Sequence, residues 1–309
     1  MPQHGGFRPG QQALRWSARI RQCLPSPRVP KRGPVENVLI TGAAGRVGRV
    51  LVPRLRKGRR LRLLDLSWAA DDALAESGET VTGSVTDPEV MAAACAGTDA
   101  VIHLAGHPSE RPWEEILAVN VDGTRTVLEA ARAASVPRVV LASSVHAAGF
   151  RHIGTGLAAD SAPQPDTYYG FSKAAVESLG SLYHSRFGLD VICVRIGSCS
   201  PRPKDRHALG LWLSPDDAGR LFTACLTARS PGLRTVWGVS ANTRGWCSLA
   251  EGTALGYRPV DDSERYAAEL PADRTESPYL GGRLFTGTEL GRPMTAEQVE
   301  RLRKPRSGD

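Results

Sequence analysis

Between residues 36 and 197 the apolar positions alternate between two patterns. Short runs rich in Val, Ile and Leu read as strands: NVLIT, RLRLLDL, ETVTGSV, DAVIHLAG, RVVLASS and DVICVRIG. Between them lie stretches with helical spacing, at 46–58, near 88–96, from about 113 to 135 and from about 168 to 187. Strands alternating with helices in this way predict an α/β fold, a parallel sheet with helices on both faces. After Gly197 the rhythm breaks. Residues 198–214 (SCSPRPKDRHALGLWLS) read as a turn-rich loop, because Pro201 and Pro203 argue against one long helix. A helix near 215–229, a strand at RTVWGVS and a helix near 247–256 follow. The expected organisation is a sheet domain over 35–197 and a small C-terminal substrate lobe over 198–309, with segments returning to the sheet.

Charge changes this picture at one end only. The chain has 309 residues, 41% of them hydrophobic, and a formal charge of +7 from 39 Lys and Arg against 32 Asp and Glu. Residues 1–34 hold Arg8, Arg15, Arg19, Arg21, Arg28, Lys31 and Arg32 but no acid, so they carry the whole excess. The remainder is balanced and offers no basic field to nucleic acid. Residues 1–34 read as a basic, disordered leader or a start placed upstream. A short amphipathic stretch, ALRWSARIRQCL, leaves an organelle presequence or a membrane-touching helix as alternatives. No apolar run approaches the ~18 residues a membrane span needs. Cysteines 23, 95, 193, 199, 225 and 247 form no CxxC pair, and several lie in apolar runs. Reduced buried thiols, a cytoplasmic location and no metal site are therefore expected.

VLITGAAGRVGRV spaces Gly42, Gly45 and Gly48 between a strand and a helix. That context suits a pyrophosphate loop: a tight turn, close backbone approach, and helix–strand packing ahead of free helix N–H groups. The second strand ends at Asp65, where a carboxylate can accept both adenosine ribose hydroxyls and repel a 2′-phosphate. Leu66, Ser67 and Trp68 follow, with no arginine for that phosphate, so the expected cofactor is NAD rather than NADP. The bland alternative for Asp65 is a solvated acid at a strand end.

TYYGFSK places Tyr169, but not Tyr168, one helical turn before Lys173. Ser143 and Ser144 end the strand RVVLASS, and ligands of open parallel sheets sit beyond strand carboxyl ends. In alcohol–carbonyl chemistry Tyr169 can move the proton, its pKa lowered by Lys173 and by the nicotinamide charge, while Ser144 holds the substrate oxygen. Asn120 lies inside the long predicted helix despite mediocre propensity, which suggests a hydrogen bond or a water near Lys173; a solvated Asn is the alternative.

GAAGRVG, HLAG, Asn120, Ser144 and the Tyr169–Lys173 pair stand in the order of the extended short-chain dehydrogenase/reductase family, the epimerase/dehydratase group, which this chain resembles. LLDLS, LASSVH, YGFSK, VRIGSC, WGVSAN, LGYRP and GGRLF look like the motifs of its bacterial uronate dehydrogenases, over about 36–286. The resemblance implies a Rossmann-type sheet and oxidation of C1 of a hexuronate to its aldarolactone. It also implies that Arg46, Val47, Ser84, Val85, Leu104, Ala105, Gly106 and Ile196 line the cofactor with the glycines, Asp65, Tyr169 and Lys173. Ser109, Ser144, Val145, His146, Ser198, Arg206, His207 and Phe285 would line the substrate pocket.

Three positions depart from the family pattern. Val145 replaces an Asn after the serine, Ser84 replaces the first acid of a DLxD pattern whose second is Asp87, and the carboxylate-clamping Arg falls on His207, beside Arg206. The sequence therefore leaves the substrate as a small sugar or sugar acid. A nucleotide-sugar epimerase or dehydratase with tightly held NAD is the main alternative, and a non-catalytic NAD-binding protein a remoter one. Flanking helices of such sheets often pair, so a homo-oligomer is left open.

Overall fold

Strand β1 (Asn37–Thr41) runs into a glycine turn and helix α1 (Arg46–Leu55), and this unit repeats along the chain. It continues with β2 (Arg60–Asp65), β3 (Glu79–Thr82), α2 (Pro88–Cys95) and β4 (Ala100–His103). A long composite helix then opens with α3 (Trp113–Glu115) and closes with α4 (Gly123–Ala133). Next come β5 (Arg138–Ser144), α5 (Tyr168–Phe187) and β6 (Asp190–Ile196). The computed structural model describes residues 34–69, 72–271, 277–293 and 295, all within one compact unit, Pro34–Asp309. Apart from Pro34, the leader expected at 1–34 lies outside the described residues.

With β9 (Leu233–Gly238), which returns from the C-terminal part, the strands form one seven-stranded parallel sheet ordered β3-β2-β1-β4-β5-β6-β9. The order reverses between β1 and β4, which pair Val38 with Ala100 through Thr41 with His103. A crevice therefore opens beyond their carboxyl ends, where doubly wound sheets bind ligands.

Strand alternation sends neighbouring side chains to opposite faces, and each face has its own core. Val38 and Ile40 pack with Leu51, Val52 and Leu55 of α1 and with Leu221 and Phe222 of α7 (Pro215–Thr227). Leu39 and Val101 pack on the other face with Met91 of α2, Val127 and Leu128 of α4, and Val176 of α5. Each fully buried Leu or Ile contributes roughly 1.5–3 kcal/mol relative to exposure. The parallel sheet covered on both faces is as the periodicity predicts.

Two segments differ from the sequence reading. The helix expected over 113–135 is interrupted by a π segment, Ile116–Asp122. Asn120 sits in it, and the Thr124 hydroxyl donates to the Asn120 carbonyl at 2.6 Å. The loop expected over 198–214 contains β7 (Ser198–Cys199) paired with β8 (Trp212–Leu213), and a short helix α6 (Arg206–Leu211) between them. Both prolines precede this helix, and Asp205 caps it by accepting the Ala208 N–H at 2.8 Å. Beyond β9 the expected helix is shorter, α8 (Ala250–Ala254). A 3₁₀ turn, Ser263–Glu269, and α9 (Gly282–Thr286) complete the described chain.

Candidate active site

The glycine loop is built for close approach. Gly42 has φ +70°, and a Cβ there would lie 2.6 Å from the Ala105 nitrogen. A Cβ at Gly48 would lie 2.2 Å from the Ala43 carbonyl oxygen, so α1 packs directly on the turn. Gly45 precedes α1, and the helix N-terminus faces the crevice between β1 and β4. Arg46 is exposed there, Val47 half-buried, and Leu104, Ala105 and Gly106 line the other wall after β4. Asp65 at the end of β2 accepts the Ala44 N–H at 2.8 Å with one oxygen and the Leu66 N–H at 2.8 Å with the other. It therefore braces the loop while standing where adenosine ribose hydroxyls would come. These residues fit a bound dinucleotide.

Neighbouring candidates also make contacts within the protein. The Ser84 hydroxyl closes a turn with Thr86, Asp87 caps α2, and Val85 is buried in the second core. His103 at the end of β4 is held between the Thr41 and Thr124 hydroxyls at 2.8 and 3.0 Å, and burial pushes its pKa down to about 3. Ile196 is buried at the end of β6.

Helix α5 carries the chemistry to this crevice. Tyr169, Ser172, Lys173, Val176, Gly180 and Tyr183 form its buried stripe. Thr167 caps it, accepting the Gly170 N–H at 2.9 Å. Farther along, Glu177 accepts the Ser143 hydroxyl at 2.6 Å and two nitrogens of Arg195, each at 2.8 Å. That buried ion pair ties α5 to β5 and β6, and it assigns Ser143 to the scaffold. The Lys173 ammonium donates to the Ala142 carbonyl at 2.9 Å and lies 5.6 Å from the centre of the Tyr169 ring. Burial pushes it down from 10.5 to about 8.

The Tyr169 phenol behaves differently from the sequence expectation. Burial pushes it above its ordinary value, and the nearby Ser144 hydroxyl and the charge of Arg46 only partly offset this. Lys173 is not among the groups that lower it. The physical reason is desolvation: a phenolate in this enclosed site loses more hydration than the surrounding dipoles replace. Tyr168 packs its ring edge against Trp113 at 5.0 Å and takes no part.

Asn120 is 1% exposed, which removes the solvated alternative. Its Oδ1 accepts the His107 N–H at 2.7 Å, and its Nδ2 donates to the His107 carbonyl at 3.2 Å and the Ser172 hydroxyl at 2.9 Å. A Cβ on Gly106 would lie 2.9 Å from that Oδ1 and 3.9 Å from the Lys173 nitrogen, so Asn120 and Lys173 are close neighbours. The amide is spent on holding the loop after β4 against α5.

On the substrate side, Ser144 accepts the His146 N–H at 3.2 Å. The His146 ring stacks on Phe285 of α9, centroids 3.6 Å apart, and meets Tyr169 edge-on at 5.8 Å. Val145 is buried in an apolar cluster with Leu211, Trp237, Val239 and Leu280, which gives it a packing contact. Ser198 and Ser109 are half-buried. The Arg206 guanidinium points toward the Ala267 and Leu270 carbonyls at 3.5 Å, and Arg202 pairs with Glu269. His207 lies 3.0 Å from the Leu280 carbonyl through Nε2 and packs against Gly282, the first residue of α9.

Two acids escaped the sequence reading. Glu110, fully buried, receives the Tyr169 and Gly291 N–H groups, each at 2.8 Å. Asp166, also buried, receives His146. Glu110 lies inside the turn-rich GHPSERP, where no local pattern marks an acid as buried, and only TYYGFSK's position just after Asp166 hinted at the second.

A cavity of about 540 Å³ between α1 and α7, lined by Arg54, Asp216 and Arg258, lies away from these residues. Another of about 370 Å³, lined by Trp113, Phe150, Tyr168, Phe171 and Leu290, is bounded by Asp166. Among the described residues, no group of three or more His, Cys, Asp or Glu is arranged to hold a metal, and no helix is long and apolar enough to cross a membrane.

Comparison with known proteins accounts for this layout. A uronate dehydrogenase of Pseudomonas syringae pv. tomato is 38% identical over 265 residues, 84% of this chain and 96% of that protein. An NAD-dependent glucose-6-phosphate dehydrogenase of Haloferax volcanii is 37% identical over 257 residues, covering 75% and 96%. The crystal structure of uronate dehydrogenase from Agrobacterium tumefaciens superposes with a TM-score of 0.77 at 36% identity, covering 82% of this chain and 97% of that one. The model of the NAD dependent epimerase/dehydratase family matches residues 38–246, and the chain belongs to that family as an NAD-dependent dehydrogenase of the extended short-chain type.

Proposed function

We propose that the chain oxidises the C1 hydroxyl of a hexuronate to the aldarolactone. The observation that carries this reading is the meeting of Ser144, Tyr169 and Lys173 at the carboxyl end of β5, facing the glycine loop, with His146 and Phe285 stacked beside the phenol. Uronate dehydrogenases align over most of the chain, which supports a sugar acid as substrate. When bound, NAD supplies the hydride acceptor and a positive charge beside the phenol.

Gly42, Gly45, Gly48 and Asp65 hold the cofactor, and Lys173 orients its nicotinamide ribose. Ser144 holds the C1 oxygen, and Tyr169 takes the hydroxyl proton as the C1 hydrogen leaves with its electron pair. Burial holds the phenol above its ordinary pKa in the protein alone, and a positive charge bound beside it would favour the phenolate. Arg206, with His207 beside it at the start of α6, is assigned to the substrate carboxylate. The five described cysteines are free thiols, four of them buried, which suits the reducing cytoplasm.

The test is NADH formation across hexuronates, glucose 6-phosphate, neutral aldoses and small polyols. Stoichiometric NADH with the hexuronates, and little with glucose, is the expected result. Equal activity on glucose and glucuronate removes the carboxylate from the reading. Turnover of a nucleotide sugar without net NADH replaces the dehydrogenase reading by the epimerase one.

A further inference from the structure

We propose that Asp166 is a positioning residue of this site: it grips His146 through Nδ1 and so presents the bare Nε2 to a hydroxyl of the sugar. The inference rests on the sugar-oxidising reading above and adds how the site recognises its substrate.

The grip is short and dry. His146 Nδ1 lies 2.7 Å from Asp166 Oδ2, with the acid's side chain 0% exposed and the imidazole 13%. The other oxygen, Oδ1, accepts the Thr167 hydroxyl at 3.0 Å. Both carboxylate oxygens therefore act as acceptors, and Nδ1 must be the donor. In the neutral ring the lone pair is then on Nε2. Among the described residues Nε2 has no hydrogen-bond partner, so it is the ring's one unused polar atom.

Three backbone segments are shaped around this carboxylate. A Cβ at Gly149 would lie 2.0 Å from Asp166 Oδ2, one at Gly281 1.9 Å from the same atom, and one at Gly170 2.8 Å from Oδ1. The first two segments are joined by the Gly281 N–H donating to the Gly149 carbonyl at 2.8 Å. No larger residue fits at these positions without displacing the acid. The imidazole itself is fixed in plane by Phe285 and tied through its backbone to Ser144. The ring also meets the Tyr169 ring edge-on, with centroids 5.8 Å apart, so it stands beside the side chain that carries the phenol. A hydrogen-bond acceptor there selects a substrate that offers a hydroxyl beside the carbon being oxidised, and discriminates against deoxy or keto analogues, which offer none.

Asp166→Asn keeps the shape inside the glycine cradle but lets an amide N–H face Nδ1, which favours the opposite tautomer. The KM for the sugar should rise about tenfold or more while the KM for NAD stays within about twofold, the loss of one well-oriented hydrogen bond. In a His146→Gln background the same substitution should change kcat/KM by less than about twofold, because Asp166 acts through the ring it holds. Equal losses in both backgrounds would mean that Asp166 is merely structural and would overturn the proposal. If the variant does not fold, nitrogen NMR of the wild-type protein decides. The His146 signals, identified by their disappearance in His146→Gln, should show Nδ1 protonated and Nε2 bare in the neutral ring; the reverse overturns the proposal. That measurement uses no substrate, so it remains decisive even where the hexuronate reading itself fails.

Discussion

The Glu110 carboxylate accepts the Tyr169 backbone N–H at 2.8 Å, across 59 residues of chain, with none of its surface exposed. It also receives the Tyr168 N–H at 3.3 Å and the Gly291 N–H at 2.8 Å. One acid thus joins the N-terminus of α5 to the segment that follows Phe285. Anionic acceptors at a helix N-terminus are favoured by its partial positive charge. Glu110→Ala should lower stability by roughly 1.5–3 kcal/mol, since the buried Tyr169 N–H and two half-buried donors lose a charged acceptor. Urea denaturation checks this, and an unchanged midpoint would show that water replaces the carboxylate without cost.

Tyr169→Phe removes only the phenolic oxygen. The loss in kcat should be at least ~100-fold, from the missing acid–base group, with NAD affinity little altered. Steady-state kinetics with fluorescence titration of NADH separate the two effects. Near-normal turnover would assign the proton transfer elsewhere.

Lys173 gives a pH signature of its own in the ligand-free protein. Burial holds its pKa near about 8, below the ordinary 10.5, so the unfolded chain binds more protons between these values. Its contribution to stability therefore rises as pH climbs from about 8 toward 10.5, and below that window the folded protein carries a buried ammonium at full cost. Lys173→Met removes this penalty. The variant's stability relative to wild type should be greatest below pH 8 and should shrink by pH 10. The buried thiols of Cys193 and Cys225, pushed up by desolvation, are present in both proteins and cancel. A pH-independent difference would show that the ammonium is well solvated.

Asp65→Ala should lower NAD affinity and narrow the preference for NAD over NADP by about tenfold, by removing one repulsive charge facing a 2′-phosphate. The same change frees the Ala44 N–H in the glycine loop, so affinity for both cofactors should carry a shared loss. Titration with the two cofactors distinguishes the parts. Unchanged NAD binding would make Asp65 an ordinary strand-end acid.

Arg206→Ala should raise KM for the sugar acid far more than for its neutral analogue, with kcat less affected. In the ligand-free arrangement the guanidinium leans on two carbonyls at 3.5 Å, contacts long enough to exchange for a carboxylate. Equal KM changes for acid and neutral sugar would move the clamp to His207 or beyond.

What the sequence determined by itself is the part governed by short-range periodicity and chain order. Alternating apolar runs specify the faces of β1 and β2, and the Gly42–Gly45–Gly48 spacing specifies a phosphate turn, because both depend on backbone geometry within a few residues. The pairing of Tyr169 with Lys173 is equally local, since i and i+4 share a helix face. Tertiary structure alone decided the rest. The sequence placed Asn120 inside a regular helix, but its amide is pinned by His107 and Ser172, and the backbone widens into a π segment around it. The reach of Glu110 to Tyr169, the grip of Asp166 on His146, and the stacking of Phe285 on that ring join segments separated by 20 to 59 residues or more. No local pattern encodes such pairs, because which buried acceptor meets which donor depends on how the loops beyond the strands pack. The raised pKa of Tyr169 has the same origin: the lysine one turn away is written in the sequence, whereas desolvation, the largest influence on the phenol, exists only once the site is closed.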